Sequence, residues 1–255
     1  MDFSEGLSEK HQEQSIKVED IRFFGDPEGK PTPDEVEKID LSIDGELHLL
    51  RHFSTLSPAV MERLIGKKIL NPDQTERTID EEYIQNQLKT AGAKFSQGQS
   101  NLDDPEKLLV IAKKLIQEHL GELTWLRKGK QKRFILRVEL TPDLKRTLGL
   151  DPEEPLGFGN LVEIDEELKD KIYKKNRGQN EATDQITRNF VKIENVPTTD
   201  GLVLVIQKLD DQENPYLFSM HPGLLTPSFP NRMFQSEEEF EYNHSFWSKH
   251  AFIES

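Results

Sequence analysis

The chain has 255 residues, with 33 Lys and Arg against 47 Asp and Glu, and no cysteine. A net charge of -14 argues against broad, sequence-independent nucleic-acid binding, which needs Lys and Arg to neutralise phosphates. The missing thiols exclude disulfides, thiolate nucleophiles and cysteine-ligated metals. Hydrophobic residues at 34% supply a core, and charged residues at 31% supply an acidic, solvated surface around it.

The first residues, MDFSEGLSEKHQEQ, lack the basic start and apolar centre of a secretory signal. No run of about 18 apolar residues occurs, so no membrane span is expected. These features point to a cytoplasmic protein, or to one exported without a recognisable N-terminal signal. Residues 1–40 read as a polar, acidic arm or linker, because GDPEGKPTPDE is dense in breakers; IKVEDIRFF, 16–24, is a short strand within it.

Residues 41–255 read as a single domain. Its helical part covers 46–125. ELHLLRHF opens it, and SPAVMERLIGKK follows with Ser57 as N-cap and Pro58 at the first helical position. IDEEYIQNQLKTAG brings Ile79, Tyr83, Leu88 and Ala91 roughly into phase, and Gly92 stops it. KFSQGQSN is a polar loop. DDPEKLLVIAKKLIQEHLG places Leu108, Ile111, Ala112, Leu115 and Ile116 in one stripe behind an Asp cap.

The sheet part covers 130–235. RFILRVEL and RNFVKIEN alternate as strands, and NLVEID is a short strand. TPDLKRTLG and DEELKDKIYKK read as short helices. GLVLVIQKL is β-branched and aliphatic enough for a central strand, with YLFSMHP as its antiparallel partner. A helix over 236–250 starts at the capping box Ser236 and Glu239. The fold class is therefore α+β, with N-terminal helices on one side of a mainly antiparallel sheet and a helix at the C-terminus.

Three segments could carry chemistry. In HLLRH, helical spacing puts His48 and His52 on one face, with Arg51 beside them. Three readings stand: partly buried structural histidines, acid–base catalysis with Arg51 holding an anion, or a metal site. The last lacks a Glu after His48 and a third ligand at a known spacing, so no metal and no cofactor is expected. In FSMHPGLLTPSFPNRMF, strand alternation sets Leu217, Ser219 and His221 on one face and Tyr216, Phe218 and Met220 on the other. A proline-stiffened return over the core then carries Thr226 and Arg232. The third segment is the basic run Arg127, Lys128, Lys130, Lys132, Arg133 and Arg137. Lys128 to Lys132 read as a solvated connection, whereas Arg137 shares a strand face with Arg133 and Ile135 and is the better phosphate candidate. Phosphate-loop and nucleophile-elbow motifs are absent.

The motifs His48-Leu49-Leu50-Arg51-His52 and Ser219-Met220-His221-Pro222-Gly223 resemble those of the barnase–EndoU–colicin–RelE group of metal-independent ribonucleases, notably bacterial polymorphic toxin domains. Those domains open with a helical motif close to H-[IL]-x-x-R-H. They close with a strand near T-A-Y-P-G, so that Ser219 stands for the Thr and His221 for the Tyr. The resemblance spans Glu46 to Pro230. It implies attack of a ribose 2′-OH on the adjacent phosphate to give a 2′,3′-cyclic phosphate. His52 and His221 would be the acid–base pair, assisted by His48, Arg51 and Ser219, with Arg137, Thr226 and Arg232 binding substrate. The partner would be RNA. Two rivals remain: an acidic inhibitor or immunity-type protein with a cognate protein partner, and a non-catalytic domain whose histidines lie buried and far apart.

Overall fold

Helical spacing of apolar residues in the first half and alternation in the second determine the element order. In the computed structural model, residues 25–70, 75–90, 92–99, 101–159, 161–176, 187–232 and 235–253 are described. The strand expected at 16–24 lies outside them. The chain runs β1 (Asp26–Pro27), α1 (Pro33–Glu37), α2 (Ile43–Leu49), a 3₁₀ turn Leu50–His52, α3 (Pro58–Leu64), β2 (Lys68–Leu70), β3 (Glu76–Thr78), α4 (Glu81–Leu88), β4 (Lys94–Phe95) and α5 (Pro105–Glu118). It continues with β5 (Leu126–Lys128), β6 (Gln131–Glu139), α6 (Pro142–Thr147), β7 (Gly157–Phe158), β8 (Leu161–Glu163), β9 (Tyr173–Asn176), β10 (Thr187–Val191) and β11 (Thr198–Thr199). β12 (Gly201–Leu209), β13 (Tyr216–Pro222), α7 (Glu237–Ser248) and β14 (His250–Ile253) complete it. The fold is α+β with mainly antiparallel pairing and a helix near the C-terminus, as the sequence pattern implies.

Local capping explains the helix starts. Ser57 accepts from the Val60 amide, Asp80 from Tyr83, Thr141 from Leu144 and Ser236 from Glu239, each satisfying a donor that the helix leaves unpaired. α5 buries the stripe Leu108, Ile111, Ala112, Leu115 and Ile116.

The largest sheet has the order β1-β5-β6-β12-β13, antiparallel throughout. β12 is interior, and the helices bury its even-numbered side. Leu202, Leu204 and Ile206 join Phe134, Leu136, Leu217 and Met220 in one core with Leu49, Leu50, Leu64, Ile84, Leu108 and Leu115. A second sheet, β8-β14-β10-β9, has a small core of its own around Val162, Val191, Ala251 and Ile253. In it β10 and β14 pair in parallel.

Three elements depart from the sequence reading. Residues 25–40, read as the end of an arm, are packed. β1 pairs with β5, Thr32 and Glu35 form a capping box, and Val36 and Ile39 are 0% and 1% exposed. Two well-placed apolar residues outweigh the breakers around them. DEELKDKIYKK holds only the 3₁₀ turn Lys169–Lys171 before Tyr173 enters β9 opposite Phe190. Asp165 accepts from the amides of Glu167 and Leu168, making a turn, and Leu168 and Ile172 pack on the small core from that turn rather than from a helix. Finally, α7 stops at Ser248 and His250–Ile253 forms a strand. Among the described residues, no helix is long and apolar enough to cross a membrane.

Candidate functional site

α2 owes its position to one glycine. Ser42 caps the helix by accepting from the Gly45 amide, and Gly45 then lies directly against β13. A Cβ at position 45 would stand 2.5 Å from the Leu217 carbonyl oxygen. After Leu49 the backbone tightens into the 3₁₀ turn, because Leu49, Leu50 and Phe53 all enter the core at 0–1% exposure. His48 and His52 are left along the side that faces the sheet edge, and Arg51 points to α4.

β13 is the edge strand, and it is bulged. Ser219 opposes Val205 while Leu217 opposes Ile206, so Phe218 is the extra residue. The bulge resets the alternation. Leu217 turns into the core with Met220, and Tyr216, Ser219 and His221 share the other side with Val203, Val205 and Gln207. The expectation that Leu217 shares a face with Ser219 and His221 is thus corrected. Ser219 and His221 do share one. The unpaired Phe218 stacks on His48, ring centroids 4.7 Å apart.

The two motifs meet at this edge. The His52 and His221 rings stack with centroids 5.0 Å apart, and those of His48 and His52 are 5.7 Å apart. Two backbone carbonyls set the tautomers. His52 Nδ1 lies 3.0 Å from the Ala93 oxygen, and His221 Nδ1 lies 3.1 Å from the Pro222 oxygen. A carbonyl can only accept, so both Nδ1 atoms carry the proton. In the neutral rings Nε2 is then a lone pair. His52 Nε2 is buried without a hydrogen-bond partner among the described residues.

The surroundings favour the neutral rings. Burial, with help from the Arg51 and His221 charges, holds His48 down to about 4. Burial also pushes His52 well below the ordinary histidine range, and His221, His48 and Lys94 add to the effect against the Ala93 bond. Burial lowers His221 as well, against its bond to Pro222. No carboxylate is among the groups that shift these three. Lys94 closes the back of the site. Its Nζ donates to the carbonyls of Arg51 and Leu88, both at 2.6 Å, and to that of Phe53 at 3.4 Å. Arg51 itself is exposed and donates from Nε to Gln87 Oε1 at 3.0 Å.

The remaining candidates lie at varying remove. Ser219 is buried at 4% exposure, two residues before His221 on the same strand side. Arg137, Val203 and His221 sit opposite one another across β6, β12 and β13, which places Arg137 two strands from His221 on the same side. Arg137 is half-buried. No hydrogen bond or ring contact ties Thr226 to the cluster. Arg232 is held elsewhere: it donates to both Glu237 carboxylate oxygens at 3.0 and 3.1 Å and lies 4.1 Å over the Phe240 ring. The basic hairpin is similarly neutralised, with Arg127 on Glu28 and Asp210, Lys128 on Glu239, and Lys132 on Glu35. Among the described residues, no group of three or more His, Asp or Glu is arranged to hold a metal ion.

Sequence reasoning missed Lys94, Phe218 and Gly45. Lys94 sits in a segment read as a polar loop, and Phe218 matters only because of the bulge. A buried glycine one turn ahead of HLLRH was the one available signal of a close approach.

No family model matches the chain, and no curated protein does. A solved structure of a conserved hypothetical protein from Toxoplasma gondii ME49 aligns with a TM-score of 0.39 at 8% identity, covering 58% of this chain and 85% of that one.

Proposed function

We propose that the chain is a metal-independent endoribonuclease that cuts RNA by 2′-OH attack to leave a 2′,3′-cyclic phosphate, with His48, His52 and His221 as its acid–base cluster. One observation carries the reading: histidines from the two motifs, at opposite ends of the folded region, stack at 5.0 Å with both Nδ1 protons directed at carbonyls. Fixed Nδ1–H groups leave Nε2 as the working atom, which is how an imidazole is prepared to take a proton.

In this reading one Nε2 removes the 2′-OH proton as the 2′-oxygen bonds to phosphorus. A second, protonated imidazole gives its proton to the departing 5′-oxygen. Arg51 offsets the charge on the phosphorane, Ser219 donates a hydrogen bond, and Arg137 extends the positive side toward a neighbouring phosphate. The resemblance to toxin domains supports the same chemistry. The three histidines form one cluster, where a domain with merely buried histidines would keep them apart.

The test is cleavage of total RNA in the presence of a chelator. Wild-type protein should cut and leave cyclic-phosphate ends. His52→Ala and His221→Ala should each lose about 10²–10⁴-fold in rate, the usual contribution of a general acid or base. Cleavage unchanged in both variants sinks the reading.

A further inference from the structure

His52 Nε2 is a buried lone pair with no donor to meet it among the described residues. Buried polar atoms are seldom left so, and one that persists marks a place where something binds. The groups around it are basic. α2 contributes His48, β4 contributes Lys94 and β13 contributes His221, while Arg51 of the 3₁₀ turn acts on His48. α4 meets the turn with the neutral Gln87 and the Leu88 carbonyl, and its carboxylates Glu81 and Glu82 belong to its opposite end, the first turn. Of the two acids on α2, Glu46 is already paired with Arg63 and Lys67, and Asp44, one turn before His48, acts on Tyr216. In a chain of net charge -14, this is a cluster of basic groups on which no carboxylate of the described residues acts.

An anion is the ligand such a setting selects, but an imidazole lone pair repels one. Only a protonated Nε2 can meet an oxyanion, as an N–H donor. We infer that the cluster of His48, His52 and His221, with Arg51, binds a tetrahedral oxyanion of the sulfate or phosphate class together with one proton from solvent. The anion sits against Arg51 and the Nε2 edges of the rings. The proton goes to a ring nitrogen, since both Nδ1 atoms already hold theirs. This deepens the ribonuclease reading and rests on the same site: the substrate's own charge would generate the general acid that three neutral histidines lack. Opposite charge within a few ångströms favours the charged form of a histidine, which is the physical basis of the coupling.

Sulfate is the suitable probe, because it does not change protonation near neutrality. Titration calorimetry of the full chain with sodium sulfate should be run from about pH 6 to 8 in two buffers of different ionisation heat. The expected result is a buffer-dependent heat corresponding to about one proton taken up. Affinity should fall up to about tenfold per pH unit above the histidine range. His221→Asn should abolish the proton uptake, and Arg51→Gln, at an exposed position that leaves folding intact, should weaken binding at least several-fold. Binding without buffer-dependent heat, no binding at all, or binding indifferent to both substitutions (an adventitious ion only) overturns the inference. RNA cleavage by the same samples separates the two ideas. Proton-linked binding without cleavage leaves this inference standing and removes the ribonuclease, whereas cleavage with proton-free binding does the reverse.

Discussion

Lys94 organises the candidate site from behind, through backbone alone. The carbonyls it meets belong to the last turns of α4 and of the 3₁₀ segment, where helical geometry leaves carbonyls unpaired and slightly negative. Burial lowers its pKa to about 8, yet at about pH 7 the ammonium is still the major form, and its three donors match three acceptors. Replacing Lys94 by Met keeps the apolar stem and strands those carbonyls. The expected cost is about 2–3 kcal/mol, in the range for a buried group losing a charged partner. Urea denaturation measures it: the midpoint should fall with the slope unchanged, and an unmoved midpoint would mean that the ammonium does not hold the turn. Nothing in KFSQGQSN announces this role, because the acceptor carbonyl of Arg51 lies 43 residues away in sequence. Residue types signal chemistry, but a lysine that serves backbone atoms leaves no pattern.

At the scale of elements, the pairing of α2 with the edge strand β13 is what brings His52 to His221. Much of it was legible. The helix at His48, the Ser57–Pro58 start of the next helix, and GLVLVIQKL and YLFSMHP as antiparallel strands all read correctly from local physics. What could not be read was relative placement. The bulge inserts one residue at Phe218 and changes which neighbours Leu217 keeps, since a one-residue slip exchanges the sides of a strand. Parallel pairing of β10 with β14 joins segments far apart in sequence, and no local pattern encodes it. Gly45 gives a direct handle on the placement. Gly45→Ala puts a Cβ 2.5 Å from a backbone oxygen, which cannot swing aside as a side chain can. α2 must move off β13, at a cost of about 1–3 kcal/mol for overpacking. If the proposed RNA cleavage is the activity, its rate, measured well below the melting temperature, should fall more than that loss explains, because the His52–His221 stack opens. Gly121→Ala is the control, since a Cβ there meets nothing within 4 Å, and it should stay within about 0.5 kcal/mol of wild type. Equal activity in the two variants would show that the stack is not needed.

Across the whole molecule, an acidic chain carries a cluster of neutral histidines at one sheet edge, and the two respond to acid in opposite senses. Lowering the pH protonates surface carboxylates and relieves the self-repulsion of a chain at -14. The histidine cluster works against that gain. His48 is held down to about 4 in the fold, so between the unfolded histidine value near 6.5 and that level the unfolded chain binds a proton that the folded one refuses. Stability from His48 is therefore fully present above about pH 6.5 and is lost as the pH falls toward 4. His52 and His221 act in the same direction. For His48 alone the loss is of order 2–3 kcal/mol, or about 4–12 °C in melting temperature for a chain of this size. Because the surface term runs the other way, the wild-type melting curve by itself does not isolate it. His48→Phe does, since a phenyl ring can keep the stack on Phe218 and cannot titrate. From about pH 7 to pH 5 the wild type should lose several degrees more than His48→Phe does. Equal shifts in the two proteins would mean that His48 takes its proton as freely in the fold as in the unfolded chain, and that burial at this edge does not hold the imidazole neutral.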